Sequence, residues 1–160
     1  MIFIRNTMIV LLFALLAGCS AGGKQFSGLE KPATASAQVY VYRPSALLQS
    51  GIFPDIEIDS KLVGKLKNGG YLRFQVEPGE HKLSVTGNYL QWNHATREFD
   101  VSYEAGKTYF YQLQPFVASG GGMVGGVYLA NHSYSFMLVE NEDDAVAELQ
   151  KLKESVDAKK

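Results

Sequence analysis

From Ala37 to Leu138 the chain alternates apolar and polar residues at every second position, and Gly, Asn, Asp and Pro break the alternation at short intervals. A period of two sends successive side chains to opposite faces of an extended strand, so such a chain buries its apolar residues by forming sheets. Val39 and Val41 stand against Tyr40 and Tyr42, and Ile56 and Ile58 flank Glu57. Leu72, Phe74 and Val76 alternate with Tyr71, Arg73 and Gln75. The pattern returns at Leu83 and Val85, at Phe99, Val101 and Tyr103, at Tyr109, Tyr111 and Leu113, and at Tyr134, Phe136 and Leu138. Between these runs lie Asp59-Ser60, Asn68-Gly69-Gly70, Glu77-Pro78-Gly79-Glu80 and Glu104-Ala105-Gly106-Lys107. Asn, Asp and Gly tolerate the positive φ of tight hairpins, and Pro78 presets the first corner of a turn. The spacing predicts a mainly β fold, an antiparallel β-sandwich or partly open barrel of about seven to nine strands.

The ends of the chain depart from this pattern. Ala145, Leu149, Leu152 and Val156 recur at helical spacing after Asn141, a good N-cap, with Glu142, Asp143 and Asp144 at the positive end of the helix dipole. An amphipathic helix is expected over residues 142–156, covering a sheet edge or one end of the sandwich; docking to a partner is the competing use. At the other end, Arg5 precedes an apolar run from Met8 to Leu16, followed by Leu16-Ala17-Gly18-Cys19. The run is short of the roughly 20 residues a membrane span requires. Its layout is that of a removed secretory signal, and the tetrapeptide resembles a bacterial lipobox.

The expected organisation is therefore a lipoprotein signal peptide over residues 1–18, a lipidated Cys19 with a flexible tether over 19–36, and one domain over 37–160. Diacylglyceryl modification of the Cys19 thiol and acylation of its new amine, for instance by palmitate, would hold the chain to a membrane far more firmly than one fatty chain does. Ser20, in place of the aspartate associated with inner-membrane retention, points to the periplasmic leaflet of the outer membrane. The segment from Ser20 to Ser36 is rich in Gly, Ser, Ala and Lys and shows no apolar periodicity, which is the composition of a linker.

Charge and cysteine content narrow the chemistry. The whole chain carries 15 basic and 16 acidic residues, and Arg5 is the only charge within residues 1–18. There is no basic excess to mark a nucleic-acid surface. Cys19 is the only cysteine, so neither a disulfide nor a thiolate metal site is expected. His81, His94 and His132 have no ligand spacing among them, and His81 is placed beside the Pro78-Gly79-Glu80 turn, where it could pair with Glu80. No G-x-S-x-G elbow is present. The glycine cluster Ser119 to Gly126 lacks the Gly-Lys-Ser/Thr ending of a phosphate loop and leads into strand-like Val127-Tyr128-Leu129. Asp55, Glu57 and Asp59 alternate on one strand face, read as a solvated face in preference to a weak calcium site. No catalytic residue, metal or cofactor is expected.

Two segments are candidates for interaction: Tyr89, Leu90 and Trp92, which pair apolar rings with polar tips, and Met123 with Val124 at the tip of a glycine-rich connection. Each has a plain alternative, a tryptophan plugging the core and a simple flexible loop.

Several motifs in order resemble the bacterial lipoprotein family of domain of unknown function 2846. They are Val41-Tyr42-Arg43-Pro44, Ile58-Asp59-Ser60-Lys61-Leu62-Val63-Gly64, Leu66-Lys67-Asn68-Gly69-Gly70-Tyr71, Val76-Glu77-Pro78-Gly79-Glu80-His81 and Ala105-Gly106-Lys107-Thr108-Tyr109-Phe110. Some of these turns also resemble other extracellular β-sandwich modules such as the PEGA repeat. The resemblance implies an envelope β-sandwich lipoprotein and brings no reaction or site residues. The function expected is that of a non-enzymatic binding or structural module of the cell envelope, held to the membrane through acylated Cys19, with an envelope protein or glycan as partner and no nucleic acid. An envelope-acting enzyme using the histidines, or a carrier with an apolar cavity between the sheets, are the alternatives.

Overall fold

A computed structural model describes residues 20–47, 49–87, 95–124 and 127–156, and for 117–124 and 127–132 the backbone and its pairing. Among the described residues nine strands form two sheets, with one short helix: β1 Ala37–Arg43, β2 Asp55–Ile58, β3 Lys61–Lys65, β4 Gly70–Val76, β5 Gly79–Thr86, β6 Arg97–Tyr103, β7 Thr108–Val124, β8 Val127–Leu138, α1 Glu142–Leu149 and β9 Lys153–Glu154. One sheet has the order β8-β7-β1-β4-β9, the other β3-β2-β5-β6. This is an open β-sandwich, as the alternation predicts.

The first sheet is mixed, contrary to the expectation of a wholly antiparallel fold. β1 runs antiparallel to β4, with Ala37 opposite Val76 and Arg43 opposite Gly70, but parallel to β7, where Gln38 faces Thr108 and Tyr42 faces Gln112. β9 is likewise parallel to β4. The cause lies in connectivity. β1 is the central strand, and from β4 on one side of it the chain builds β5 and β6 in the other sheet before returning as β7 on the other side. Such crossovers free neighbouring strands from hairpin polarity.

All seven residues of β1 are buried. Val39 and Val41 face the core between the sheets, together with Ile56, Leu66, Leu72, Leu83, Val85 and Leu113. Tyr40 and Tyr42 face outward into a second apolar cluster with Tyr71, Phe110, Ala145, Leu149, Leu152 and Phe26. The outer face of the sheet is thus covered by a third layer, made of α1 and an N-terminal arm.

That layer corrects two sequence expectations. First, the helix ends at Leu149 instead of Val156. Its start is as expected: Asn141 Oδ1 accepts the Asp143 and Asp144 N–H groups at 2.9 and 3.3 Å. Leu152 reaches the cluster from the following turn and Val156 is 43 % exposed, so the helical periodicity of the last two residues is coincidental to β9. Second, residues 20–30 do not behave as a tether. The Ala21 N–H donates to Asn68 O at 3.0 Å, Gly23 N–H to Glu154 O at 3.0 Å and Phe26 N–H to Leu152 O at 3.1 Å, extending the sheet beyond β9. A Cβ on Gly23 would lie 2.4 Å from Glu154 O, so glycine permits the close approach. The Phe26 ring meets Tyr71 edge-on at 5.6 Å and Tyr40 at 6.1 Å. Farther on, Tyr40 Oη accepts the Glu30 N–H at 2.9 Å, and Arg73 pairs with both Glu30 and Glu154.

Phe26→Ala is expected to lower the unfolding free energy by about 3 kcal/mol, a value for a buried ring and not for a linker residue. Urea denaturation checks this; an unchanged midpoint would mean that the arm contributes nothing to stability.

Candidate functional site

β1 gives the sandwich an axis with two unlike ends. At the Arg43 end stand Asn68, Gly69 and Gly70, the loop 44–54, and the arm at Ser20, which bridges to Asn68. Cys19 lies outside the described residues, one position before Ser20. At the Ala37 end stand Ser36, the Glu77-Pro78 corner and the 104–107 turn, where Gly106 N–H donates to Ser36 O at 2.9 Å.

The Arg43 end is built around a buried cation. Arg43 is 1 % exposed, and its two terminal nitrogens donate to Ile52 O at 2.5 Å and Gln49 O at 2.6 Å. Burial lowers its pKa to about 10. The guanidinium uses main-chain carbonyls in place of an ion pair, and so folds the loop 49–52 against the strand end. The motif Val41-Tyr42-Arg43-Pro44 flagged this residue without revealing its role; the signal was an arginine at the end of an otherwise apolar strand.

The expected interaction segments fall as follows. Tyr89, Leu90 and Trp92 lie outside the described residues. The strand ends that flank them, Thr86 and Arg97, lie in adjoining strands; Thr86 pairs with Asp55 and its hydroxyl contacts Thr96 Oγ1 at 2.8 Å. Met123 and Val124 belong to β7, not to a long loop. Their backbones oppose Tyr128 and Val127, and the ladder runs through Gly121 and Gly122 after a register shift between Val117 and Gly121. Because β7 is parallel to β1 and continues twelve residues past Gln112, the β7–β8 hairpin leaves the sheet at the Arg43 end.

A cleft of about 370 Å³ opens on the flank between the sheets, lined by Phe99 and Val101 of β6 and Tyr109, Tyr111, Phe136 and Leu138 of β7 and β8, with Asp100 and Ser102 at its rim. Tyr111 and Phe136 stack at 5.5 Å with an interplanar angle of 1°, and Phe99 lies 5.0 Å from Phe136. β6 ends one sheet and β8 the other, so no strand closes this side. Shape and lining suit an apolar or flat ligand.

The histidines do not form a common site among the described residues. His81 pairs with Asp59 and not with Glu80: Nδ1 lies 2.6 Å from Asp59 Oδ2, and Nε2 lies 2.8 Å from Glu77 O. His132 has its backbone in β8, in the other sheet, opposite Val117; His94 lies outside the described residues. The Asp55, Glu57 and Asp59 face is divided as well, since Asp55 bridges Lys65 at 2.6 Å and Asp59 sits in the β2–β3 turn. Among the described residues no three His, Cys, Asp or Glu side chains are placed to hold a metal ion.

Asp59 and Ser60 have φ of 49° and 62°, the paired positive values of a two-residue hairpin turn. Asp59 Oδ1 also accepts the Lys82 N–H at 2.9 Å, so His81 and Lys82 clasp this turn onto β5. The hydrogen bond to Asp59 raises the His81 pKa above 6.5, against the opposing effect of burial. The Lys82 N–H, and then His81, hold Asp59 below its ordinary 3.8. A histidine whose pKa is higher in the folded state stabilises fully below the unfolded value, and that contribution disappears as pH rises through the folded value. Asp59 acts oppositely, its contribution disappearing in acid below 3.8. Thermal melts are expected to show wild type losing its advantage over His81→Gln between about pH 6 and pH 8. A difference independent of pH across that window would show that the clasp does not depend on the charged imidazole.

Comparison with known proteins bears on the same elements. No curated protein matches the chain. Among solved structures, the N-terminal domain of AlgF from P. aeruginosa is similar at 16 % identity, over 66 % of this chain and 98 % of that one, with a TM-score of 0.34. A family model described as protein of unknown function (DUF2846) matches residues 33–127, from just before β1 to the β7–β8 turn, and takes in each of the motifs named above. The chain belongs to the DUF2846 family.

Proposed function

We propose that this protein is a lipid-anchored module of the bacterial cell envelope, acylated at Cys19, held at the outer membrane facing the periplasm, and acting by binding or structural support without catalysis. The observation that carries this reading is where the fold begins. The backbone is engaged from Ser20, and Ala21 is 4 % exposed, so no free linker separates Cys19 from the domain. An acyl anchor at that position would hold one end of the sandwich close to the bilayer. The lipobox-like sequence Leu16-Ala17-Gly18-Cys19 supports the modification itself. Engagement of both His81 ring nitrogens supports a structural role for the best-placed histidine.

Cys19→Ser is expected to move the protein from the membrane fraction to the soluble fraction, to abolish incorporation of a palmitate analogue, and to leave the thermal unfolding transition unchanged. Retention in membranes by the unacylated variant, or its unfolding, would overturn the reading. Ser20→Asp is the companion variant: fractionation should move the protein toward the inner membrane.

A second reading, a carrier of an apolar ligand, is favoured by the aromatic cleft between β6 and β7–β8. Native mass spectrometry of the purified chain tests it. A co-purified apolar molecule that is lost in Phe136→Asp would support a carrier, and a ligand-free mass under gentle conditions would dismiss it.

A further inference from the structure

Leu47 is 98 % exposed, the most exposed of the large apolar side chains in the described structure. Its loop is not slack. Arg43 fastens Gln49 and Ile52 by their carbonyls, Ser50 N–H donates to Leu47 O at 3.3 Å and Ile52 N–H to Gln49 O at 3.0 Å. Gln49 adopts a positive φ of 56°. The isobutyl group is therefore held out in water by a bonded loop, with no local collapse to hide it.

The same loop is fixed to the start of the fold. Asn68, 7 % exposed, accepts the Ala46 N–H on its side-chain oxygen at 2.9 Å and the Ala21 N–H on its backbone oxygen at 3.0 Å. One buried residue thus joins the stem of the Leu47 loop to the residue two positions after Cys19. The exposed cation at this end is Lys153, which pairs with Gly70; Lys67 Nζ is spent on Val156 O at 2.5 Å, and the nearby carboxylates of Asp55 and Glu154 are paired with Lys65 and Arg73. A projecting apolar side chain on the same pole as an exposed lysine suits a membrane-interface contact, in which the apolar group enters the acyl boundary and the ammonium stays with anionic headgroups.

We propose that Leu47 inserts into the interfacial layer of the bilayer that holds the Cys19 acyl chains, giving the domain a second membrane contact that sets its orientation. The proposal rests on the lipid-anchoring reading above. One leucine adds little affinity beside the acyl chains; its effect is rotational, because two contacts define a line where one defines a pivot. The β1 axis then stands off the membrane and the Ala37 end, with the 104–107 turn, is the distal pole.

The acylated thiol of Cys19 makes an introduced cysteine the only reactive one in the mature chain. Full-length Leu47→Cys and, as the distal control, Ala105→Cys would be purified from membranes, labelled with an environment-sensitive fluorophore and placed in phosphatidylethanolamine–phosphatidylglycerol vesicles. Intact mass reports the acyl chains on each sample. The label at 47 is expected to shift to the blue and to be quenched several-fold more by lipids bearing a nitroxide on the upper acyl chain than the label at 105. Equal, weak quenching at both positions with Cys19 acylated would overturn the insertion while leaving the anchor in place. Quenching at 47 that tracks protein density and not nitroxide content would also overturn it, in favour of contact between two copies. An unacylated mass would overturn the anchoring reading and this proposal together.

Discussion

Both faces of β1 must be covered, and the rest of the architecture follows from that requirement. Most strands of a two-layer sandwich leave one face in water, but here Val39 and Val41 on one side and Tyr40 and Tyr42 on the other are all at most 1 % exposed. The second sheet buries the valines. The tyrosines need a cover of their own, and α1 alone contributes only Ala145 and Leu149 as buried residues. Phe26, Leu152 and Phe110 complete it, with Tyr40 and Phe110 stacked at 5.7 Å. The N-terminal arm is thus part of the core, and its attachment fixes where the chain before it must emerge. A local packing need on the central strand is what places Ser20 at the Arg43 end.

The charge at the end of that strand has a comparable reach. Burying a guanidinium is costly unless its donors are used; here the two terminal nitrogens reach the carbonyls of Ile52 and Gln49, and Nε is buried without a partner among the described residues. The loop 44–54 cannot relax away from the strand without stranding the cation. This ties the conformation of a surface loop to a core residue. It also explains how a sequence with no glycine-rich or disulfide constraint at Leu47 can hold a leucine outward. Asn68 adds the second tie, so the crossover from β1 to β2 and the return into β4 are braced at one place.

The strands and the tight turns were legible because each residue there carries a pattern: side-chain alternation reports the face, and Asp59-Ser60 or Pro78-Gly79 reports the bend. Burial of β1 on both faces was visible in its composition, since Ala37 to Tyr42 holds five apolar or aromatic residues in six, a run of the kind that marks a central strand. Alternation masks it, because tyrosine is compatible with either face. The arm gave no signal: Phe26 and Leu29 are isolated apolar residues in polar sequence, and a docked arm held by main-chain hydrogen bonds needs no periodicity. Glycines at 120 to 122 hide their strand for a related reason, because a residue without a side chain cannot show alternation even when its backbone is paired. Of the candidate site, the cleft required knowledge of which edge strands meet, which depends on the crossover order and not on any local segment.

Polarity of the fold changes which surface a partner could use. Of the candidates drawn from sequence, Met123 and Val124 have their backbones in the continuation of β7, which points to the Arg43 end. On the reading in which Cys19 carries the lipid, that end faces the bilayer. The cleft lies elsewhere, on the flank between β6 and β7–β8, with Tyr109 one position from Thr108, which pairs near the Ala37 end of β1. A ligand entering the cleft would meet the Asp100 rim and Phe136, which stacks on the buried Tyr111. The two apolar features of this surface therefore separate by position, one at the Arg43 end and one on the flank between β6 and β7–β8, and the single strand β1 sets the relation between them.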